Sequence, residues 1–172
     1  MKLVIASDIH GSGYYCKKLV DVIEAENPDR VLLLGDILYH GPRNDLPGGY
    51  APKEVIAMLN PLADKIIAVR GNCDTEVDQM VLDFPILSDT AVIYDGNIEI
   101  FATHGHKYNP ENPPALKKGA ILLNGHTHVS CDRDCGNFRY INPGSVSIPK
   151  NGTKRGCLVY ENGAFTPFSL ED

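Results

Sequence analysis

Along this chain one pattern of apolar and polar positions recurs five times. Short apolar runs at Leu3–Ser7, Val31–Leu34, Ile66–Val69, Ile98–Thr103 and Ala120–Leu123 each pass into a brief polar stretch carrying Asp, Asn or His. Runs of this length, bounded by glycine and other turn residues, read as short buried strands. The polar residues that follow them are Asp8 and His10, Asp36, Asn72 and Asp74, His104 and His106, and His126 and His128. Strands that all deliver such side chains at their C-terminal ends describe one polar cluster along one edge of a sheet.

Between the first two runs lies a helical pattern from about Tyr14 to Glu26, with Leu19, Val20, Val22 and Ile23 on its apolar face and Asn27-Pro28 at its end. Strand, helix and strand in this order predict a parallel βαβ unit with a right-handed crossover. A second helix is expected from Pro52 or Lys53 to about Ala63, cut short by Pro61, and a short third from Glu76 to Leu82. From Ala91 onward the pattern changes to strands without long helices between them: Val92–Tyr94, Ile98–Thr103, Phe138–Ile141 and Cys157–Tyr160. Asp95-Gly96-Asn97 and Glu161-Asn162-Gly163 read as hairpin turns. The expected fold class is α/β: two packed mixed β-sheets flanked by helices, an αββα sandwich, in a single domain spanning residues 1–172.

Composition narrows the function. With 172 residues and 43% apolar content the chain can bury one substantial core. A net charge of −6 without clustered Lys and Arg disfavours nucleic acid as a partner, and no run is long enough to span a membrane. Five cysteines, an odd number with no paired framework, and an apolar N-terminal segment too short for a secretory signal point to a cytoplasmic protein. Cys131 to Cys135 read as a solvent-side turn, with a stray metal site as the lesser alternative. The oligomeric state is not legible, which leaves a homo-oligomer open.

The clustered residues suggest the chemistry. Aspartate, asparagine and histidine are oxygen and nitrogen ligands suited to divalent manganese, iron, zinc, cobalt or nickel rather than to a thiolate site. Asp8 and His10 alternate along their strand, which would turn both side chains to one face. A pair of dications needs a shared anionic ligand and a bridging water or hydroxide, and Asp36 at the centre of the cluster suits that bridge. The irregular segment from Ile37 to Pro52 follows directly, and a loop of this length beside a site carboxylate is often functional. Its His40, Arg43 and Asn44 either reach a substrate phosphate or cap and brace the loop. Tyr14, Tyr15 and Tyr39 either line the cleft or pack beside it. Asn142-Pro143-Gly144-Ser145 reads as a turn that supports the cluster.

Taken together, Asp8-x-His10, Gly35-Asp36, Gly71-Asn72-x-Asp74, His104-x-His106 and Gly125-His126-x-His128, in this order on this strand pattern, resemble the calcineurin-like metallophosphoesterase family. Within it the chain is similar to the small bacterial YfcE-type phosphodiesterases through Gly35–Asn44, Arg70–Asp74 and Asn142–Pro149. The resemblance covers nearly the whole chain. It implies that Asp8, His10 and His128 hold one metal, that Asn72, His104 and His126 hold a second, and that Asp36 bridges them. The cofactor it implies is a pair of divalent metal ions, with manganese favoured. The implied activity is hydrolysis of a phosphodiester substrate by attack of a hydroxide bridging the metals. Catalytic roles are expected for Asp36, Asn72, Cys73, Asp74 and His106, and substrate contacts for Asn72, Cys73, His40 and Arg43. For Asp74, a hydrogen bond to a ligand and a purely structural turn both stay open.

One departure from the family pattern stands out. Many members have histidine after the asparagine, and here that position is Cys73. A thiol is a poorer proton donor to an alkoxide and carries no positive charge near neutral pH, so esters with good leaving groups, such as aryl phosphodiesters, are expected to be preferred over phosphomonoesters. The competing expectations are a protein-interaction scaffold, as the retromer subunit that resembles this fold is used, and a phosphomonoesterase or nuclease, the first weakened by Cys73 and the second by the acidic balance. All seven implied ligand positions carry competent residues, which favours the enzyme.

Overall fold

The computed structural model describes residues 1–171. Its ten strands form two five-stranded sheets. In the first, β1 (Lys2–Ala6), β2 (Arg30–Leu33) and β3 (Ile66–Ala68) run parallel, and β9 (Gly156–Glu161) and β10 (Ala164–Ser169) extend it antiparallel beyond β1. The second sheet has the order β4 (Thr90–Asp95), β5 (Ile98–Thr103), β6 (Ala120–Leu123), β8 (Phe138–Asn142) and β7 (Cys131–Asp134). Its centre, β5, β6 and β8, is parallel, and both outer pairings are antiparallel.

Alternation along each strand explains the layers. In β1, Leu3 and Ile5 face the second sheet, where they join Leu32, Leu34, Ile100, Ala102, Ile121, Leu123, Ile141 and Tyr160 in one core. Val4 and Ala6 point the other way, onto a core shared with Leu19, Ile23, Val55 and Leu59 of α1 (Gly13–Glu26) and α2 (Pro52–Leu59). The central strands are therefore buried on both faces, which is why they read as unbroken apolar runs. Tyr160 adds a polar tie between the sheets, its hydroxyl donating to Asp95 Oδ2 at 2.8 Å.

Helix boundaries follow local chemistry. Ser12 caps α1 by accepting the Tyr15 N–H, and Asn27, in a left-handed conformation, closes the helix. Pro52 opens α2 at a position where no N–H is needed, and Asn60–Leu62 continues it as a single 3₁₀ turn around Pro61. The third helix, α3 (Glu76–Gln79), is shorter than the sequence suggested; Thr75 and Asp78 form a reciprocal capping box at its start.

Two strands escaped the sequence reading. The stretch from Cys131 is strand β7 and not a solvent-side turn, and the turn begins only after Asp134. Its Cys-Asp-Arg-Asp sequence carries little strand propensity, but it lies at a sheet edge, where charges are tolerated and deter further pairing. Strand β10 is also an edge strand, which accommodates Pro167. The Asn162-Gly163 hairpin leading into it has both φ angles positive, as a tight two-residue turn requires.

Candidate metal centre

The C-terminal ends of β1, β2, β3, β5 and β6 open onto one edge of the sandwich, and the loops there are bonded to one another. Asp8 N–H donates to Gly35 O at 3.1 Å, Gly125 N–H to His104 O at 2.8 Å, and His126 N–H crosses between the sheets to Asp8 Oδ2 at 2.9 Å. Ser7 Oγ also donates to Asp8 Oδ2, at 2.6 Å.

Strand alternation does not aim these side chains. Strand β1 ends at Ala6, and Asp8 (φ 57°) and His10 (φ 48°) lie beyond it in the left-handed region. Asp36, His126 and His128 share that conformation, at φ 56°, 65° and 60°. Left-handed backbone is uncommon for residues other than glycine, and holding it costs of order 1–3 kcal/mol per residue. Five such residues in one cluster are a signature of a site held against its local preference. Loops this close also demand glycine. A Cβ on Gly71 would fall 2.1 Å from Asp36 Oδ1, and one on Gly125 would fall 1.8 Å from Ser7 Oγ.

The ring nitrogens form two groups. His10 Nδ1 donates to Tyr39 O at 2.8 Å and His128 Nδ1 to Ile148 O at 2.7 Å, which leaves both Nε2 lone pairs pointing inward when the rings are neutral. Those two Nε2 atoms are 3.2 Å apart, and Asp8 Oδ1 lies 3.6 and 3.2 Å from them. Asp8 Oδ1 is buried and has no hydrogen-bond partner. Three inward-facing lone pairs with no proton to share among them fit a cation.

The second group repeats this logic. His104 Nδ1 donates to Leu34 O at 2.6 Å, and its Nε2 lies 3.1 Å from Asn72 Oδ1 and 3.2 Å from His126 Nδ1. Asp36 stands between the groups, its Oδ2 3.4 Å from His104 Nε2 and 3.7 Å from His10 Nε2. Asp8, His10 and His128 can thus hold one metal, and Asn72, His104 and His126 another, with Asp36 reaching both. The donors are all nitrogen and oxygen, the set expected of borderline divalent ions.

Charge is balanced tightly even without metal. Burial works to raise Asp8, but the adjacent His10 and His128 rings and the charge on His104 overcome it and hold the carboxyl well below the usual range. Asp36 is lowered in the same way, chiefly through His104. Burial opposes a charge on His104, yet the Asp36 hydrogen bond and the two carboxylate charges lift it to about 9. Burial and the neighbouring His104 push His126 down to about 4.

Supporting contacts fix these groups. The Asp74 carboxylate is buried and accepts three backbone N–H groups, from Asp36 at 2.8 Å, Ile37 at 2.9 Å and Gly71 at 2.7 Å, so it braces the loops that carry Asp36 and Asn72. Cys73 N–H donates to Asp36 Oδ1 at 2.8 Å. Ser145 Oγ, from the turn after β8, donates to Asp8 O at 2.7 Å, and Asn142 Nδ2 to Gly125 O at 2.8 Å.

Beside the centre lies a cleft of about 300 Å³, lined by Asp36, Asn72, Cys73, His126 and His128, with Arg43 and Asn44 from the long loop. Thr127 and Lys150 also line it and were not foreseen. Thr127 sits inside the His126-x-His128 motif and could have been suspected; Lys150 lies at a turn with no motif of its own. His40 does not line this cleft, since its ring packs edge-on between Tyr39 and Tyr50 while its carbonyl accepts from Asn44 Nδ2. His106 lies near both rings of the second group, 5.4 Å from His104 and 6.1 Å from His126 between centroids, and burial lowers its pKa. Burial and the Asp36 charge push the Cys73 thiol up to about 12, so it keeps its proton at neutral pH and offers no thiolate nucleophile.

Comparison with known proteins identifies the family. The family model of the calcineurin-like phosphoesterase superfamily domain matches residues 1–163. Phosphodiesterase YfcE of Escherichia coli (strain K12) is 45% identical over 172 residues, covering 100% of this chain and 94% of that protein. The solved structure of Yfce, a phosphoesterase from E. coli, superposes with a TM-score of 0.93 at 41% identity, covering 99% of this chain and 100% of that one. A structure of Vps29 from Entamoeba histolytica shares the fold, with a TM-score of 0.60 at 21% identity over 98% of this chain and 97% of that one. With the sandwich, the paired donor groups and the family match in agreement, this chain belongs to the calcineurin-like phosphoesterase superfamily.

Proposed function

We propose that the protein is a metal-dependent phosphodiesterase whose centre takes two divalent ions, one held by Asp8, His10 and His128, the other by Asn72, His104 and His126, with Asp36 shared. The observation that carries this reading is the pair of inward-facing donor groups on either side of the Asp36 carboxylate. Bound there, the ions would supply Lewis acidity toward a phosphoryl group and a water acidic enough to act as nucleophile near neutral pH.

The chain's own residues do the rest. Arg43 and Lys150 give the cleft its positive charge and draw in a phosphate anion. Asn72 reaches the second donor group through its oxygen while its amide nitrogen donates to Cys73 Sγ at 3.2 Å, so side chain and thiol are oriented together. Asp74 acts as a positioning residue through the backbone of Asp36 and Gly71. Cys73 brings no positive charge to the leaving oxygen, which favours diesters with stable leaving groups over monoesters. His106 is assigned to the rim of the second group.

Manganese is the proposed ion in the test tube, with iron, zinc, cobalt and nickel accepted by the same donors. No helix among the described residues is long and apolar enough to cross a membrane. We assign the protein to the cytoplasm, supported by its free cysteines. The net charge of −6 supports a small diester over nucleic acid.

The test is hydrolysis of bis(p-nitrophenyl) phosphate and p-nitrophenyl phosphate by metal-stripped protein, with divalent ions added back one at a time, alongside Asp36→Asn. Diester turnover should return with manganese, exceed monoester turnover and vanish in the variant. Two bound ions without turnover would sink the enzyme reading in favour of a scaffold.

A further inference from the structure

We propose that an apolar groove next to the cleft receives an uncharged alkyl or aromatic ester arm of the diester and so sets the substrate class; this rests on the phosphodiesterase reading above. The groove encloses about 380 Å³ and is walled by Leu38, Tyr39, Tyr50, Ile56, Val77 and Val81. Tyr39, Val77 and Val81 are exposed large hydrophobics, at 41%, 70% and 43%. Grouped apolar side chains held open to water mark a binding surface more often than scattered ones do.

Continuity with the cleft identifies the occupant. Cys73 lines both spaces, and its Sγ lies within 4.8 Å of donor atoms of His10 and Asp36. An ester held with its phosphoryl group at the centre therefore needs to extend only past one thiol to enter the groove. Gly41 keeps the passage clear, since a Cβ there would come within 2.8 Å of Cys73 Sγ.

Charge narrows the arm further. The cleft carries Arg43 and Lys150, whereas no basic residue among those described lines the groove. Its polar side chains, Thr75 and Asp78, bond each other in the cap of α3, with Thr75 Oγ1 donating to Asp78 Oδ2 at 2.9 Å. An arm bearing a second phosphate would meet Asp78 and no cation. A hydrocarbon or aromatic arm loses nothing there and leaves water.

The experiment uses manganese-loaded protein and a series of inert diesters with one constant methyl ester: dimethyl, butyl methyl and hexyl methyl phosphate. Binding is read by calorimetry and as inhibition of bis(p-nitrophenyl) phosphate turnover. Affinity should tighten about fourfold for each methylene that leaves water. The double variant Val77→Asn with Val81→Asn changes two exposed side chains without adding charge. It should weaken hexyl methyl phosphate by about tenfold and leave dimethyl phosphate unchanged. Wild-type turnover combined with binding that ignores chain length, or a length dependence that survives in the double variant, would overturn the groove assignment alone. Absence of turnover in the wild-type protein would overturn the phosphodiesterase reading and this one with it.

Discussion

Gly71→Ala replaces a hydrogen with a methyl group at the point where two loops of the centre meet. Gly71 has no positive φ, so no left-handed strain is added and the contacts of the new Cβ dominate. The new Cβ would lie 2.1 Å from Asp36 Oδ1, 2.3 Å from Asp36 N and 2.9 Å from Asp36 Cγ, where real Cβ contacts essentially never fall below 3.0 Å. Relief requires a shift of about 0.9 Å, and two of the three obstructing atoms belong to the carboxylate that faces both donor groups. Forced packing of this kind costs about 1–3 kcal/mol in stability. A displacement near 1 Å at a reacting centre costs about 10²-fold in rate. Gly48→Ala is the control, because its Cβ would make only an ordinary 3.7 Å contact with the Tyr15 ring and its φ is not positive. The assay pairs urea unfolding with manganese calorimetry and diester turnover for both variants. Gly71→Ala should lose turnover by about two orders of magnitude and weaken manganese binding, while Gly48→Ala stays near wild type. Wild-type manganese affinity and turnover in Gly71→Ala would refute the claim that Asp36 is held by close loop packing.

Other predictions probe the same machinery. Asp74→Asn leaves at least one of three buried N–H donors facing an amide NH₂, for a loss of about 2–4 kcal/mol in urea unfolding and about 10- to 100-fold in manganese affinity; a change within 0.5 kcal/mol would contradict the bracing role. Metal-stripped protein should pass through a stability maximum as pH changes. His104, raised to about 9 despite burial, stabilises fully below pH 6.5 and loses that contribution as pH climbs through 9, whereas His126, lowered to about 4 by burial, stabilises above pH 6.5 and loses its share as pH falls through 4. Urea midpoints that rise steadily to pH 9 would refute the assignment, and His104→Gln should flatten the upper limb. Cys73→His should raise monoester turnover relative to diester turnover, by restoring a cationic donor near the leaving oxygen; unchanged rates for both substrates would remove Cys73 from the account of specificity.

The sequence exposed the site more fully than it exposed the fold's edges, for a physical reason. Interior strands such as Leu3–Ser7 and Ala120–Leu123 are buried on both faces, so their apolar runs are unbroken, and the ligand-type residues stand at the points where the runs stop. Edge strands answer to different constraints. Cys131–Asp134 pairs with β8 by backbone hydrogen bonds while its side chains beyond the half-buried Cys131 face water, and Pro167 fits β10 because that strand lies at the sheet edge. Side-chain direction was also beyond reach. Asp8 and His10 do converge, but through left-handed backbone past the strand end, which no periodicity encodes. His40 belongs to the same limit: a loop rich in proline and glycine gives its residue types and not its course, and the ring turns toward Tyr39 and Tyr50. The Asp74 carboxylate closes the turn at Gly71 and bonds the Asp36 backbone, contacts that its place in the sequence does not specify.

The two donor groups sharing Asp36 are the centre of this account, and anomalous diffraction from manganese-soaked crystals tests them most directly. Two peaks about 3.5–4 Å apart, one against Asp8, His10 and His128, the other against Asn72, His104 and His126, both in contact with Asp36, are expected. A single peak, or a second ion out of reach of Asp36, would contradict it.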